Sequence, residues 1–504
     1  MTVSVSMIFM AERKSSPLIT IPPEIEAEMS PAVKAFVIAA FAKFEARIAI
    51  LEEQVKQLTA QLAGKSPTAT PNNSSVPSST VHPHNDKDKP GTKKPKSKRK
   101  RGGQMGHKKH SRELVPPERC NEIIESHPDA CRRCGGELVA DSEAPKRHQV
   151  WEIPPIAPIV TEYRLHRGNC LGCGISTQAT LPHGIPSGQC GPRLAAFTGL
   201  LMGHFRQSKR RAASFLSDLL NVPCSAAWTV KIQNLVSESI AEPYEELRQQ
   251  LCQQRQLFVD ESPTKQHKNK AWLWVAVAPL FTVFGIFLNR KRQSLQAFIG
   301  DYSGVILNCD RAKMYFDGKI VQWCWAHIKR DIQKLIDHDD GQVKRLGRDL
   351  LRQQKLLFEQ WRRYKSGEIK WATFQNLVRP IRKQFNSLLV RGSFSGNPKL
   401  TGFCDELRRH QDWLWTFTKI MGIEPTNNDA ERALRPAVIY RKLSFGTQSA
   451  SGSRYFERIL TVSETCRRQS RSAYEFLVSA MEAKFADQAA PSLLPAQAAA
   501  QSAA

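Results

Sequence analysis

The stretch Asn427-Asn428-Asp429-Ala430-Glu431-Arg432-Ala433-Leu434-Arg435-Pro436 decides how the rest of this chain is interpreted. Asn427 or Asn428 can cap the start of a helix, and Pro436 is expected to limit or kink that helix. In such a helix Glu431 shares a face with Leu434, three residues further on. An acid beside an apolar stripe is costly unless a positive group meets it. Alone, the stretch is typical of a charged surface helix, but two upstream segments change that interpretation.

Each of these two apolar segments leads into an aspartate. Gln256-Leu257-Phe258-Val259-Asp260 and Gly304-Val305-Ile306-Leu307-Asn308-Cys309-Asp310 both have the pattern of buried strands that end on the acid. Between them, residues 271–277 and 282–288 predict a hairpin, and a helix is expected near residues 294–299. A fifth strand is predicted over residues 320–325, and a basic helix comes after it.

The order of three strands, a helix, two strands and further helices matches a ribonuclease-H-like core, in which the first and fourth strands are neighbours. Asp260 and Asp310 would then project from adjacent strands, and a later helix would supply Glu431. Three convergent carboxylates repel one another, and two Mg²⁺ ions about 4 Å apart would neutralise them. One ion would activate the attacking water or 3′-hydroxyl, and the other would stabilise the leaving oxygen. This α/β catalytic domain is predicted over residues 255–480, with a helical insertion at about 341–415.

Composition narrows the class of protein. The length of 504 residues predicts several domains, and the formal net charge of +26 favours a polyanionic partner, either nucleic acid or an anionic membrane surface. The sequence has no apolar run of the roughly 18 residues that a membrane span needs, and no cleavable signal pattern. We therefore expect a cytoplasmic protein, in which the 12 cysteines serve as metal ligands or free thiols.

The N-terminal part contains two contrasting patterns after a flexible start at residues 1–30. Residues 31–64 predict a coiled-coil helix for self-association, although a helix packed on its own chain would give the same pattern. Residues 65–115 predict a disordered linker that ends in a flexible basic arm suited to phosphates, or simply a solvated charged segment. The apolar seam of the helix is Val37, Phe41, Phe44, Ile48, Leu51, Val55, Leu58 and Leu62. The centre of the basic arm includes Lys98, Arg99, Lys100 and Arg101.

Residues 116–185 contain two Cys-x-x-Cys pairs, each with a glycine after the second cysteine. Cys131 and Cys134 form one pair, and Cys170 and Cys173 form the other. Such knuckles bend the backbone so that two thiolates meet one ion, and four cysteines predict one structural zinc site. A hairpin is expected at residues 149–164, as in zinc ribbons. The alternative is four buried free thiols, and His148 and His166 are substitute ligands.

Residues 190–250 are predicted to be helical. Two apolar helical patterns separated by a short turn at residues 221–224 are compatible with a helix-turn-helix DNA reader, and Arg210 and Arg211 lie in the basic segment at its start. An ordinary pair of packed helices would have the same pattern.

Together these motifs resemble the transposases of the insertion-sequence-66 family across nearly the whole chain. The resemblance rests on the heptads, the zinc knuckles, the glutamate helix and several short motifs. The short motifs are Asn73-Ser74-Ser75, Arg101-Gly102-Gly103-Gln104-Met105-Gly106-His107, Val259-Asp260-Glu261-Ser262-Pro263, Cys324-Trp325-Ala326-His327, Arg441-Lys442 and Ser444-Phe445-Gly446.

This resemblance implies a DDE-type transposase whose metal-binding acids are Asp260, Asp310 and Glu431. It also implies an ordered complex on the element's terminal inverted repeats, target DNA as second substrate, and two small accessory proteins of the same element. The family usually has glycine and an aromatic residue after the second aspartate, whereas Arg311 and Ala312 come after Asp310 here. Asp301 is therefore kept as an alternative second acid.

Further residues are assigned to this expected site. His327 would orient a phosphate or the attacking group, unless it is simply bonded within the fold. Contacts to the transferred phosphate and flanking DNA are expected from Arg432, Arg435, Arg441 and Lys442. A helix over 454–476 would close the domain, and the tail at 486–504 is expected to be disordered.

The sequence supports three hypotheses about function. The first is a Mg²⁺- or Mn²⁺-dependent strand transferase, acting as a homo-oligomer in the bacterial cytoplasm on nucleoid DNA. The second is a catalytically silent DNA-binding protein derived from a transposase, and the third is a ribonuclease-H-like nuclease that cuts without joining. The complete set of three acids favours an enzyme, because a DNA-binding protein has no physical reason to keep them clustered.

Overall fold

The structure, a computed structural model, describes residues 29–63, 113–139, 144–444 and 446–495. Its α-helices are α1 (Pro31–Ala63), α2 (Pro192–Met202), α3 (Lys209–Leu220), α4 (Ala226–Ser239), α5 (Ala241–Gln249), α6 (Arg292–Ile299), α7 (Trp325–Ile336), α8 (Gly341–Lys365), α9 (Trp371–Ser393), α10 (Pro398–Arg409), α11 (Gln411–Lys419), α12 (Asn428–Ser444), α13 (Ala450–Arg468) and α14 (Ala473–Phe485). Its strands are β1 (Arg167–Asn169), β2 (Ser176–Gln178), β3 (Gln256–Gln266), β4 (Asn269–Val277), β5 (Thr282–Phe287), β6 (Ile306–Cys309) and β7 (Ile320–Trp323).

The described chain forms two compact units. One contains α1, the segment from α5 to α13, and residues 492–495. The other contains the described residues from 113 to 240 together with residues 472–491, which include α14. Within the described ranges, no helix has the length and apolar character needed to cross a membrane.

The first unit is built on a mixed five-stranded sheet in the order β5-β4-β3-β6-β7. The strands β3, β4 and β5 form an antiparallel meander, while β6 and β7 run parallel to β3. The predicted pairing of the first and fourth strands is therefore confirmed, with residues 256–258 opposite 306–308. The segment that contains α6 makes the crossover that this parallel pairing requires.

The strand β3 differs from its prediction because it does not end at Asp260. It continues to Gln266, paired with β4 along its whole length, so Asp260 lies in the middle of the strand. Only the parallel pairing with β6 ends earlier, at Phe258. The residues after Asp260 lack the apolar run that marks a buried strand, but the hydrogen bonds of a long hairpin do not require both faces to be buried.

The helix α12 also extends further than predicted, because it passes through Pro436 and ends at Ser444. Pro436 lies on its exposed side, and the opposite side packs into the core through Ala433, Leu434 and Ala437. This apolar packing offsets the loss of one helical hydrogen bond at the proline. The core on this side of the sheet also contains Leu273 and Val275 of β4, Phe284 and Ile286 of β5, and Phe456 and Leu460 of α13.

Side chains of α13 bind the free edge of β5. Thr465 accepts a hydrogen bond from the backbone amide of Thr282 (3.1 Å), and Thr461 accepts one from Phe284 (3.0 Å). The buried carboxylate of Glu457 accepts from Ile286 and is also paired with Arg454 (2.9 Å). The helix thereby satisfies amides that would otherwise be unpaired at the edge of the sheet.

Glu457 predicts a pH dependence of stability. Burial raises its pKa to about 7, against an ordinary value of 4.5. Between pH 4.5 and about pH 7, Glu457 keeps its proton in the folded chain but loses it in the unfolded chain. The stabilisation that this difference provides is complete below pH 4.5 and is lost as the pH rises through about 7. We expect Glu457→Gln to remove most of this loss, up to about 3 kcal/mol. Melting temperatures at about pH 5 and about pH 8 test this, because the variant should fall by several degrees less than the wild type. Equal falls in both proteins would contradict the prediction.

The helices α8 to α11 form the predicted insertion and cover the opposite edge of the sheet. Thr416 of α11 donates a hydrogen bond to the carbonyl of Val321 in β7 (2.6 Å), and the amide of Phe417 donates to the side chain of Gln322 (2.7 Å). The buried rings of Trp325 and Trp415 lie 5.2 Å apart, joining α7 to α11.

The loop after α12 is joined to the far end of β3. The backbone of Thr447 bonds to Lys265 (2.9 Å) and His267 (2.7 Å). Beside it, Gly446 has a φ of +106°, and a Cβ there would lie 2.4 Å from the carbonyl oxygen of Lys265. The close approach of the two backbones therefore requires glycine at this position.

We expect Gly446→Ala to destabilise the first unit by roughly 1–3 kcal/mol from backbone strain, with a further cost from the clash. The measurement is the thermal unfolding midpoint. Gly402→Ala in α10 is the matched control, because its Cβ would meet nothing within 4 Å and alanine favours a helix. Equal midpoints for Gly446→Ala and wild type would contradict this account of the loop.

In the second unit, α14 packs against α2 and α4, and α3 packs against α4. Ser208 caps α3, and Ser225 caps α4 by accepting a hydrogen bond from the amide of Trp228 (3.1 Å). The two predicted helices on either side of the turn at residues 221–224 are thus present.

The hairpin predicted at residues 149–164 is wrong. That segment contains no strand, because Pro154, Pro155 and Pro158 lack the amide protons that a ladder needs. The antiparallel pair instead forms between β1 and β2, on either side of the second cysteine knuckle.

Two terminal predictions have different outcomes. The predicted helix at 31–64 is present as α1, on which Phe44, Ile48 and Leu51 are exposed. The side chains of Val55, Leu58 and Leu62 lie outside the described residues.

The tail is ordered in part, contrary to prediction, because Leu493 is fully buried and its carbonyl accepts a hydrogen bond from Gln469 (2.9 Å).

Candidate active site

The first two predicted acids lie at matching positions on neighbouring parallel strands. Asp260 and Asp310 each come two residues after the last residue pair between β3 and β6, Phe258 with Asn308. Asp310 is the first residue after β6, and its Oδ1 accepts a hydrogen bond from the amide of Ala312 (2.8 Å). The sheet register therefore places these carboxylates side by side. By contrast, the alternative acid Asp301 is exposed, and its Oδ1 accepts a bond from the amide of Ser303 (2.9 Å).

The third acid is held by the N-terminal end of α12. Asn427, just before this helix, is buried, and its side-chain amide donates to the carbonyl of Val259 in β3 (2.8 Å). The backbone amide of Asn427 donates to the sulfur of Cys324 (3.1 Å). One turn later, Oε1 of Glu431 lies 3.0 Å from Nε2 of His327 and 3.1 Å from the guanidinium of Arg330. Arg330 is therefore the positive group that was expected beside this acid, and His327 bonds to the same carboxylate oxygen.

A second buried carboxylate adjoins the predicted acids. The side chain of Glu261 is almost fully buried and binds both the guanidinium of Arg290 and the hydroxyl of Tyr315. Arg290 also lies 3.7 Å from Oδ2 of Asp310. Sequence reasoning missed these residues, although Glu261 comes directly after Asp260. Nothing in the spacing of Arg290 or Tyr315 indicated that they reach the same place.

The electrostatics reflect crowded negative charge. Burial, together with the smaller effects of Glu261, Asp310 and Glu431, raises the pKa of Asp260 well above its ordinary value. Burial and Asp310 raise the pKa of Glu261 to about 7, although Arg290 acts the other way. Burial alone would raise the pKa of Glu431, but its contacts with His327 and Arg330 outweigh this effect and lower the pKa. The site as a whole therefore favours the binding of positive charge.

The oxygens of the three predicted acids do not all lie within 4.8 Å of one another, as the ligands of one ion would. Among the described residues, the group of metal-ligand atoms that lie within 4.8 Å of one another consists of Cys324, His327 and Glu431. Glu431 thus bonds to its neighbours on α7 through Oε1, while its charge also acts on Asp260.

The two cysteine knuckles share one local geometry. In each, the first cysteine exchanges backbone bonds with the residues after the second cysteine, and the next glycine has a positive φ (+75° at Gly135 and +72° at Gly174). Amides of Arg133 and Cys134 lower the pKa of Cys131, and those of Cys173 and Gly172 lower the pKa of Cys170. Such thiols are suited to metal binding. The four cysteines are not brought into one compact group within the described residues.

Family models match the two regions of the chain that contain the acids and the cysteine knuckles. A family model described as "Transposase IS66 family" matches residues 188–455, which is more than half of the chain. The chain belongs to the IS66 transposase family. A model of the zinc-finger binding domain of IS66 transposases matches residues 128–174, which supports zinc at the knuckles, and a family of unknown function (DUF6444) matches residues 17–113.

One curated relative is an uncharacterized protein, y4jO, of Sinorhizobium fredii (strain NBRC 101917 / NGR234). It is 28% identical over 158 residues, which is 31% of this chain and 46% of the relative. The match thus spans less than half of the relative's length, and the relative's name carries no activity.

The predicted DNA-contacting residues of this IS66-family chain occupy different surroundings. Arg210, Arg211, Arg435 and Lys442 are exposed, and Arg432 is exposed beside its partner Asp429. Arg441 instead donates to the hydroxyl of Ser262 (3.1 Å) and to the carbonyl of Pro263, which ties α12 to β3. Lys98, Arg99, Lys100 and Arg101 lie outside the described residues.

Proposed function

We propose that this IS66-family chain is a DNA strand transferase that generates 3′-hydroxyls at the terminal inverted repeats of its element and joins them to target DNA. The observation that carries the proposal is the matched register of Asp260 and Asp310, with Glu431 close enough to raise the pKa of Asp260. In a transposase family, this arrangement favours phosphoryl transfer over DNA binding alone.

The site fits divalent cations that prefer oxygen ligands. Its carboxylates carry more negative charge than Arg290 and Arg330 balance, and ionisation of Asp260 is opposed by that charge. The Oδ1 atom of Asn427, one turn before Glu431, is buried and has no hydrogen-bond partner in the described part of the chain. We propose that Asp260, Asp310 and Glu431 hold two Mg²⁺ or Mn²⁺ ions, which would activate the attacking hydroxyl and stabilise the leaving oxygen.

The neighbouring residues have supporting roles in this proposal. His327 and Arg330 hold Glu431 ionised and oriented, so His327 acts on the reaction through this acid. Arg290 lies between Glu261 and Asp310 and partly offsets their repulsion. These contacts keep the acids in place before DNA and metal arrive.

We propose that the first unit is a ribonuclease-H-like catalytic domain, since its strand order and late acidic helix agree with that architecture. The helices α3 and α4 are proposed to form a helix-turn-helix reader with Arg210 and Arg211 at its start. The basic arm, with Arg432, Arg435 and Lys442, would contact phosphates and so give affinity rather than sequence choice. For Arg441, the observed bonds to β3 favour a structural role.

The remaining parts are assigned by analogy with the family. One structural zinc would be shared by Cys131, Cys134, Cys170 and Cys173. The exposed apolar side chains of α1 would associate two or more copies, since transfer of two element ends requires at least two active sites. We further propose cooperation with small accessory proteins of the element, at the nucleoid of the bacterial cytoplasm.

The test is strand cleavage and joining on labelled element-end DNA with Mg²⁺ or Mn²⁺. The proposal expects a joined product that requires the metal. Cleaved ends that are never joined would favour the nuclease hypothesis. Tight DNA binding without any product, in the presence of the accessory proteins, would favour a silent DNA-binding protein.

A further inference from the structure

The group formed by Cys324, His327 and Glu431 is chemically unlike the aspartate pair of the sheet. Its donor atoms are a sulfur, an imidazole nitrogen and a carboxylate oxygen, all within 4.8 Å of one another. Zinc and related cations are bound by this combination, whereas Mg²⁺ prefers oxygen ligands alone. The group therefore differs in selectivity from the site assigned above.

The separation of the ligand atoms suits one tetrahedral ion. Nε2 of His327 and Oε1 of Glu431 are 3.0 Å apart. A nitrogen and an oxygen bound to the same tetrahedral zinc lie about 3.3 Å apart, given bond lengths of about 2.0–2.1 Å. A shift of a few tenths of an ångström would bring the nitrogen and the oxygen to this separation, and water would fill the fourth position.

The surroundings of the sulfur provide a second observation. Cys324 is the N-cap of α7, and its sulfur receives a hydrogen bond from the backbone amide of Asn427 (3.1 Å). Amides directed at sulfur stabilise a thiolate, as they do in the two knuckles. A thiol binds the ion as thiolate, so the proton of Cys324 passes to solvent when the ion binds.

A cation can reach this group from solvent, and one neighbouring side chain competes with it for Glu431. Cys324 is buried, but the side chain of Glu431 is one-third exposed, so an ion can approach from that side. Arg330 contacts the same oxygen of Glu431, and its guanidinium has to leave that oxygen when the ion binds.

We propose that Cys324, His327 and Glu431 bind one zinc-like cation, separate from the zinc of the knuckles, and that this cation inhibits strand transfer by withdrawing Glu431. The binding stands on the geometry alone, while the inhibition rests on the function proposed above. Zinc would then act on the same acid that Mg²⁺ requires.

Binding is tested by calorimetric titration of ZnCl₂ into the full chain already loaded with its knuckle zinc, without DNA. We expect wild type to bind one more zinc than Cys324→Ser, and His327→Ala to weaken this binding at least tenfold. The matched control is Cys404→Ser, because Cys404 is a buried thiol outside the group, and it should titrate as wild type. Serine is a good helix cap, so Cys324→Ser should keep the start of α7. Absence of the extra zinc in wild type, or its retention in both Cys324→Ser and His327→Ala, would overturn the proposal.

Inhibition is tested by the ratio of joining rates without and with added ZnCl₂ at fixed Mg²⁺. Zinc should slow wild type at least tenfold, and this ratio should approach one in Cys324→Ser, whatever rate that variant has without zinc. Extra zinc binding without any slowing of an active wild type would overturn the inhibitory role. If no condition gives a joined product, the proposed function fails while the calorimetric result still decides the binding.

Discussion

Glu431→Gln is expected to lower strand joining by roughly a thousandfold or more, because about 4 kcal/mol of metal-dependent stabilisation would be lost. Glutamine keeps the size of the side chain and an acceptor for Arg330, so the fold should remain intact. The amount of joined product on labelled element-end DNA measures the effect. Circular dichroism and the melting temperature verify that the variant is folded.

Asp429→Asn is the matched control for this variant. Asp429 is on the same helix, two residues earlier, but its carboxylate pairs with Arg432. Its loss should change joining less than about threefold, in line with a surface ion pair. Full activity in Glu431→Gln would remove this acid from the proposed reaction.

Asp310→Asn should lower joining by a similar factor of roughly a thousand, whereas Asp301→Asn should have little effect. Asp310 comes after β6 at the position that matches Asp260, and asparagine can still accept the hydrogen bond from Ala312. Asp301 lies in an exposed loop, and its side chain accepts a hydrogen bond from the amide of Ser303. The same joining assay compares the two variants at equal metal concentration.

Comparison of these two variants decides which aspartate is the second acid of the catalytic set. The reverse result, with joining lost in Asp301→Asn and kept in Asp310→Asn, would require a different arrangement of β6 and its loop. Loss in both folded variants would indicate that the loop before β6 also contributes to the reaction.

The sheet could be predicted because each of its signals was local. Apolar runs marked β3 and β6, and the order of elements between them left few ways to pair the strands. Asp260 and Asp310 were found for the same reason, since their register is fixed once parallel neighbours are known. The length of β3 beyond Asp260 was missed, because its later residues pair through the backbone and show no apolar pattern.

The partners of the acids could not be predicted in this way. Arg330 reaches Glu431 across 101 positions, and Tyr315 reaches Glu261 across 54. Such contacts depend on how helices pack on the sheet, which spacing along the chain does not encode. The hairpin error at residues 149–164 has a simpler cause, because the three prolines of that segment cannot donate the hydrogen bonds of a strand pair.

The joining of α12 to β3 has a mechanical consequence. Asn427 ties the start of the helix to Val259, Arg441 ties its end to Ser262, and the loop beyond it is bonded to Lys265. These bonds join helix and strand at both ends, and they hold Asp260 and Glu431 in fixed positions relative to each other. Asp310 is not held by these bonds, since β6 pairs with β3 through three residue pairs only. When ions or DNA alter the spacing of the acids, the adjustment therefore falls on the segment that begins at Asp310.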